Sequence, residues 1–184
     1  GKDMILAPGI NIKRSPFCGR NFEYMSEDPY LISELVVPMV KGIQQSDVAA
    51  CVKHFAFNQM ENARFKVSVY ADKRTEREVF LPHFKDCVDA GAAAIMSSYN
   101  LYNKIKCGHH KYLLGTVLKD EWDFDGFVMS DFIYGVNDTV EAANGGQDME
   151  MCITQYFGSK LVKAVQDGFV PETKIDEAAL RIVR

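Results

Sequence analysis

Short apolar runs alternate with longer amphipathic stretches along this chain. Five runs, at 4–7, 48–55, 92–99, 126–132 and 146–151, have the length and continuous apolar character of strands buried on both faces. Each is followed by polar or glycine residues and then by a helical period, the pattern of parallel βα units. Ile32, Leu35, Val36, Met39, Val40 and Ile43 form one apolar stripe, started by Ser26-Glu27-Asp28-Pro29. Pro38 falls inside that stripe and predicts a kink. A second helix is expected over 75–90, with Thr75 and Glu78 as a capping box, Pro82 as a bend and Gly91 as the stop. Further helices are expected over 111–121, over 159–167 before Gly168, and from Thr173 onward, through Ile175, Ala179 and Ile182.

About five such units fit either a partial (β/α)8 barrel, which when whole takes about 250 residues, or an open doubly wound sheet. No GxGxxG or GxxxxGK[ST] motif follows a strand, which weakens a nucleotide-binding version of the open sheet. No repeat or linker divides the chain, so residues 1–184 read as a single α/β domain. At 184 residues, 47% hydrophobic and 25% charged, it has enough apolar material for one sizeable core. The net charge of −4 argues against a general nucleic-acid binder or a polybasic membrane anchor. No apolar run has the length of a membrane span. Aromatic residues spread along the whole length argue against disorder.

Cys18, Cys51, Cys87, Cys107 and Cys152 are odd in number, widely spaced and without a CxxC pair. They predict free, mostly buried thiols, no zinc site and a lean toward a reducing compartment. Asn137-Asp138-Thr139 is a glycosylation sequon, of consequence only in a secreted protein. The chain begins Gly1-Lys2-Asp3 and stops at Arg184 inside a helical pattern, so a piece of a larger protein is expected. No cofactor is expected.

In βα architectures the chemistry sits where strands end. Those places hold Lys53-His54-Phe55, Ser97-Ser98-Tyr99-Asn100, Ser130-Asp131-Phe132, and Asp148 with Glu150; the loop after the first strand adds Lys13, Arg14, Arg20 and Glu23. The apolar Phe127-Val128-Met129 run delivers Asp131 to a strand end, where it either caps a turn or serves as nucleophile or metal ligand. Lys53 and His54 are either satisfied structural groups or paired donors of a site.

Gly19-Arg20-Asn21-Phe22-Glu23, Ser26-Glu27-Asp28-Pro29, Val52-Lys53-His54-Phe55, Met96-x-x-Tyr99-Asn100 and Val128-Met129-Ser130-Asp131 follow one another as in glycoside hydrolase family 3. The resemblance spans nearly the whole chain. It implies the later part of a (β/α)8-type barrel in a retaining β-glycosidase of the β-glucosidase-like branch, acting on a β-glucoside or short β-linked oligosaccharide, with a β-xylosidase or broader exo-β-glycosidase as the alternative. A truncated sugar-binding piece without hydrolysis is the non-enzymatic alternative. The resemblance further implies Asp131 as catalytic nucleophile; Arg20, Lys53 and His54 as donors to sugar hydroxyls; Tyr99 beside the nucleophile; and Met96 as a pocket wall. Glu61 and Arg64, in Asn58-Gln59-Met60-Glu61-Asn62-Ala63-Arg64, match a loop of that branch, as site residues or a loop-ordering ion pair. Phe132 stands where the family usually has a stacking Trp. Lys53-His54-Phe55-Ala56-Phe57-Asn58 departs from the Lys-His-Phe-Pro-Gly-His-Gly run of the N-acetylglucosaminidase branch. A further sugar-binding Asp is expected before Gly1, and the acid/base from a domain after the barrel; Asp148, Glu150 and Glu61 are the carboxyls at hand within the chain.

Overall fold

A computed structural model describes residues 3–184. Its main sheet has four parallel strands in chain order: β1 (Met4–Ile5), β2 (Ala49–Phe55), β4 (Ala94–Ser97) and β7 (Phe127–Met129). The register sets Met4 on Ala49, Val52 on Ile95 and Ile95 on Val128. A doubly wound sheet reverses its strand order at a switch point. This sheet never reverses, so the fold is a stretch of (β/α)8-type barrel. A small second sheet joins β3 (Ser68–Val69), β5 (Leu101–Tyr102) and β6 (Ile105–Lys106).

The strands are apolar on both faces because each face has its own cover. Val52, Phe55 and Ile95 pack outward against Val36 and Val40 of α1 (Pro29–Gln44), Phe84 of α3 (Pro82–Asp89), and Leu114 and Val117 of the π-helical segment Lys111–Glu121. Phe55 meets Phe84 and Trp122 edge-on, at ring-centroid distances of 5.2 and 5.8 Å. Cys51, Ala94, Met96 and Met129 face the other way, with Met4, Met149 and Met151 packed on them.

Several expected elements change at their ends. α1 runs unbroken through Pro38, whose ring lies on the exposed side, and buries only the 32-36-40 row of the stripe; Leu35 and Met39 stay outside. The cap of the second helical stretch is Asp72, which accepts from the Thr75 N–H at 2.8 Å, while Glu78 pairs with Arg74 instead. That stretch divides into α2 (Lys73–Thr75), a π turn at Glu76–Phe80, and α3, because Pro82 has no N–H to continue the ladder and starts a helix instead. The helix expected from Thr173 is α6 (Glu172–Val183), which follows α5 (Ser159–Gln166) and starts at Pro171 without a side-chain cap. α4 (Thr139–Gly145) has no counterpart in the sequence reading, although Asp138 caps it through the Glu141 N–H and Gly146 ends it at φ +106°.

The fifth expected strand, at 146–151, is reduced to one parallel bridge, Met129 with Met149. There the Val128 carbonyl accepts the N–H groups of Asp148 and Met149 at 2.9 and 3.0 Å, the Ser130 N–H donates to the Met149 carbonyl at 2.9 Å, and side chains add to these bonds. The Val128 N–H donates to Asp148 Oδ2 at 2.8 Å, and Gln147 Nε2 donates to the Val128 carbonyl at 3.1 Å.

Candidate active site

Parallel strands place all their carboxyl ends together. β2 ends in Lys53-His54-Phe55, the loop after β4 carries Tyr99, and two residues past β7 stands Asp131. Between Lys53 and Phe55 the β2–β4 register slips by one residue. Such a bulge leaves one residue unpaired and re-aims its side chain, here His54. Its backbone is still satisfied: Asn11 Oδ1 accepts the His54 N–H and Asn11 Nδ2 donates to the His54 carbonyl, each at 2.8 Å.

Asp131 is buried at the centre. Its Oδ1 accepts the Phe132 N–H at 2.8 Å, whereas Oδ2 has no partner among the described residues. A buried acceptor without a partner costs about 1–3 kcal/mol, so Oδ2 is an acceptor held ready for a donor. His54 Nε2 lies 3.8 Å from Oδ2, and Arg20 Nη2 lies 3.1 Å from the same ring nitrogen. Burial pushes the Asp131 carboxyl above its ordinary value, against the downward pull of the Phe132 N–H, Tyr99, Arg20 and Arg64. Burial, then the cations of Arg20, Lys53 and Arg64, hold His54 far below its usual value and therefore neutral. Burial and then the Asp131 charge raise the Tyr99 phenol.

Around this centre the charges alternate. Glu23 pairs with Arg20 through Nε and with Lys53 at 3.2 Å. Glu61 pairs with Arg64 at 2.7 Å and lies 3.6 Å from Arg20. The Arg64 guanidinium lies 4.7 Å from the Tyr99 ring centroid and 5.0 Å from that of Phe65, and Phe65 packs on Tyr134 at 4.9 Å. Arg20, Lys53, His54, Glu61, Arg64 and Tyr99 thus gather at the same end as Asp131. Glu61 is there ion-paired to Arg64 and near Arg20. Met96 is buried on the inner face of β4, paired in register with Lys53 and with Met129. Phe132 contributes its main chain, taking the Tyr99 hydroxyl on its carbonyl at 2.6 Å, while its ring is partly exposed.

Two of the three candidate acid/base carboxyls are committed elsewhere. Asp148 accepts from Lys119 at 2.6 Å and from the Val128 N–H, below the strand ends. Glu150 accepts the N–H groups of Tyr156 and Phe157 at 2.8 and 2.7 Å and folds that loop. The sequence reading missed Tyr24 and Asn58, which back His54, and gave Glu23 no role. Glu23 and Asn58 stand inside motifs already singled out, whereas Tyr24 and Asn11 carry no local signal. All five cysteines are free, four buried and Cys152 exposed, and the described residues hold no cluster fit for a metal ion.

Residues 1–184 match the family model for the glycosyl hydrolase family 3 N-terminal domain. The chain is 45% identical over 183 residues to thermostable beta-glucosidase B of Acetivibrio thermocellus, covering 98% of this chain and 24% of that protein. It is 43% identical to beta-glucosidase BoGH3A of Bacteroides ovatus, over all of this chain and 26% of that protein. It is similar to the structure of DesR, a beta-glucosidase of Streptomyces venezuelae in complex with D-glucose, with a TM-score of 0.94, 38% identity, and 98% and 25% of the two chains covered. Beta-glucosidase 3B of Thermotoga neapolitana in complex with glucose gives a TM-score of 0.92 at 38% identity, over 98% and 26% of the two chains. The chain spans about a quarter of the length of these relatives. With a match from its first residue to its last, it belongs to glycosyl hydrolase family 3, in that family's N-terminal domain.

Proposed function

We propose that this chain is the nucleophile-bearing part of a longer retaining exo-β-glucosidase, with residues 1–184 forming one domain of it. The observation that carries the reading is Asp131: a buried carboxylate at a strand end, with one oxygen bound and the other free toward Arg20 and His54. Such an oxygen attacks the anomeric carbon, the aglycone leaves, and water opens the resulting glycosyl-enzyme. Arg20, Lys53 and Arg64 supply hydrogen-bond donors for sugar hydroxyls, and Tyr99, whose proton goes to the Phe132 carbonyl, offers its oxygen as an acceptor. Glu23 balances two of the cations, Arg20 and Lys53, and Glu61 pairs with Arg64. Met96 and the Phe132 ring are assigned to the pocket wall and the stacking surface. Two relatives named exo-alpha-(1->6)-L-arabinopyranosidases, at 41% and 40% identity, favour a second reading in which the pocket accepts several pyranosides. In the full-length enzyme, Asp131→Asn should fold and lose most turnover of an aryl β-glucoside. Near-normal activity would overturn the assignment. Rates on aryl β-glucoside, β-xyloside and α-L-arabinopyranoside separate the two substrate readings.

A further inference from the structure

The side chains behind Asp131 form a chain of hydrogen bonds, closed into a ring by an ion pair, with two groups of fixed polarity. Arg20 can only donate, and its Nη2 lies 3.1 Å from His54 Nε2. The Glu61 carboxylate only accepts; Asn58 Nδ2 reaches its Oε1 at 3.5 Å and Tyr24 Oη at 2.9 Å. Turning the Asn58 amide over would set Oδ1 against that carboxylate, so Glu61 fixes the amide. Tyr24 Oη lies 3.1 Å from His54 Nδ1, and Arg20 Nη1 closes the ring 3.6 Å from Glu61 Oε1.

These polarities leave His54 one neutral tautomer. A hydrogen on Nε2 would meet the guanidinium N–H head-on, so Nε2 carries the lone pair. The ring proton then sits on Nδ1 and is donated to Tyr24 Oη, which also accepts from Asn58. The opposite arrangement, with Tyr24 donating to Nδ1, gives the phenol proton an acceptor. It forfeits the charge-assisted Arg20 bond, the stronger of the two.

We propose that Tyr24, steadied by Asn58, is a positioning residue that together with Arg20 holds His54 as the Nδ1–H tautomer, so that Nε2 faces the site as an acceptor. Its consequence for substrate rests on the sugar-site reading above. Nε2 and Asp131 Oδ2 are two lone-pair atoms 3.8 Å apart, and Oδ2 has no partner among the described residues. A hydroxyl entering between them takes the Arg20 Nη2 hydrogen bond on its oxygen and gives its own proton to the Nε2 lone pair that Arg20 then leaves. Fluorine cannot give one. This reverses the donor role that family resemblance implies for His54.

The test is nitrogen NMR of the chain labelled with ¹⁵N-histidine. Only His54, His83, His109 and His110 contribute, and His54→Gln identifies the signal of interest. At pH 7 the His54 signals should be those of a ring protonated at Nδ1, and Tyr24→Phe should turn them into a tautomer mixture. An Nε2–H ring in the unaltered chain overturns the proposal even if Tyr24→Phe fails to fold. An unchanged tautomer in folded Tyr24→Phe overturns the role of Tyr24. Glucose and its monodeoxyfluoro analogues are then titrated by calorimetry. At one position fluorine should weaken binding about tenfold, and by much less in Tyr24→Phe. Equal binding of glucose and every fluoro analogue overturns the acceptor role. An Nδ1–H ring without any glucose binding upholds the tautomer and overturns the sugar-site reading.

Discussion

Asp131 shows how far one residue depends on its neighbours. Its raised carboxyl value means that the folded chain takes up a proton more readily than the unfolded chain. Stability therefore falls as pH rises from the ordinary carboxyl value through the raised one. Asp131→Asn should accordingly raise the melting temperature at pH 7, and a lowered one would contradict this sign. If Asp131 is the nucleophile proposed above it must be ionised, so activity should fall as pH drops through the raised value. Arg64 is one of the groups pulling that value down. Arg64→Gln should move the acid limb of kcat/KM to higher pH in the full-length enzyme; an unmoved limb would leave Arg64 without influence on Asp131. Gly135 has a different influence. A Cβ there would stand 2.3 Å from the Asp131 carbonyl oxygen and 2.8 Å from its nitrogen. Gly135→Ala must shift the Asp131 backbone, and we expect a fall of more than tenfold in kcat of the full-length enzyme with the fold retained, read from rates beside circular dichroism. The sequence located Asp131, Lys53 and His54 at strand ends, because an apolar strand that ends in polar groups is a local pattern. Asn11 and Tyr24 reach the site across 43 and 30 residues, a closeness that only the packed fold creates.

At the scale of elements, strand interiors were legible and strand ends were not. Continuous apolar runs located β2, β4 and β7 because both faces of each are covered. The run at 146–151 looked the same. Its Gln147 and Asp148, however, bond the backbone of β7 through their side chains, which no hydrophobic pattern reveals. Asp148 also carries the ion pair with Lys119, and both side chains are largely buried. Losing one partner strands the other's charge in a low-dielectric place, which typically costs about 3–5 kcal/mol. Asp148→Ala should therefore destabilise the chain by about that much in denaturant titration. Lys119→Met in the same background should recover part of the loss, because the orphaned ammonium is gone. Additive effects of the two changes would mean that the pair is not coupled.

The whole molecule carries a pH signature and a catalytic limit. Burial alone lowers His83 to about 3, and neither ring nitrogen has a partner among the described residues. The unfolded chain takes up a proton near the ordinary imidazole value and the folded chain does not, so stability is lost as pH falls from about 6.5 toward 3. His83→Leu should flatten that fall, which melting curves between about pH 4 and 7 would register. The catalytic limit comes from the carboxyls. Retaining hydrolysis calls for a second carboxyl about 5–5.5 Å from the nucleophile, to protonate the departing oxygen. Asp148 sits under the strands with Lys119, Glu150 holds the loop at Tyr156 and Phe157, and Glu61 and Glu23 are ion-paired to arginine or lysine. General acid help typically contributes on the order of 10² to 10⁴ in rate. An aryl glucoside with an acidic phenol leaving group needs little of that help, whereas the sugar alkoxide leaving from cellobiose needs all of it. The purified 184-residue chain, freed of host glucosidase, should therefore release phenol slowly and glucose from cellobiose not measurably. Asp131→Asn should abolish the slow phenol release, which separates it from contamination. Brisk cellobiose hydrolysis that disappears in Asp131→Asn would mean that a carboxyl of this chain breaks its ion pair and serves as the acid. Glu61, nearest in the network through Arg20, would then be the first to replace by Gln.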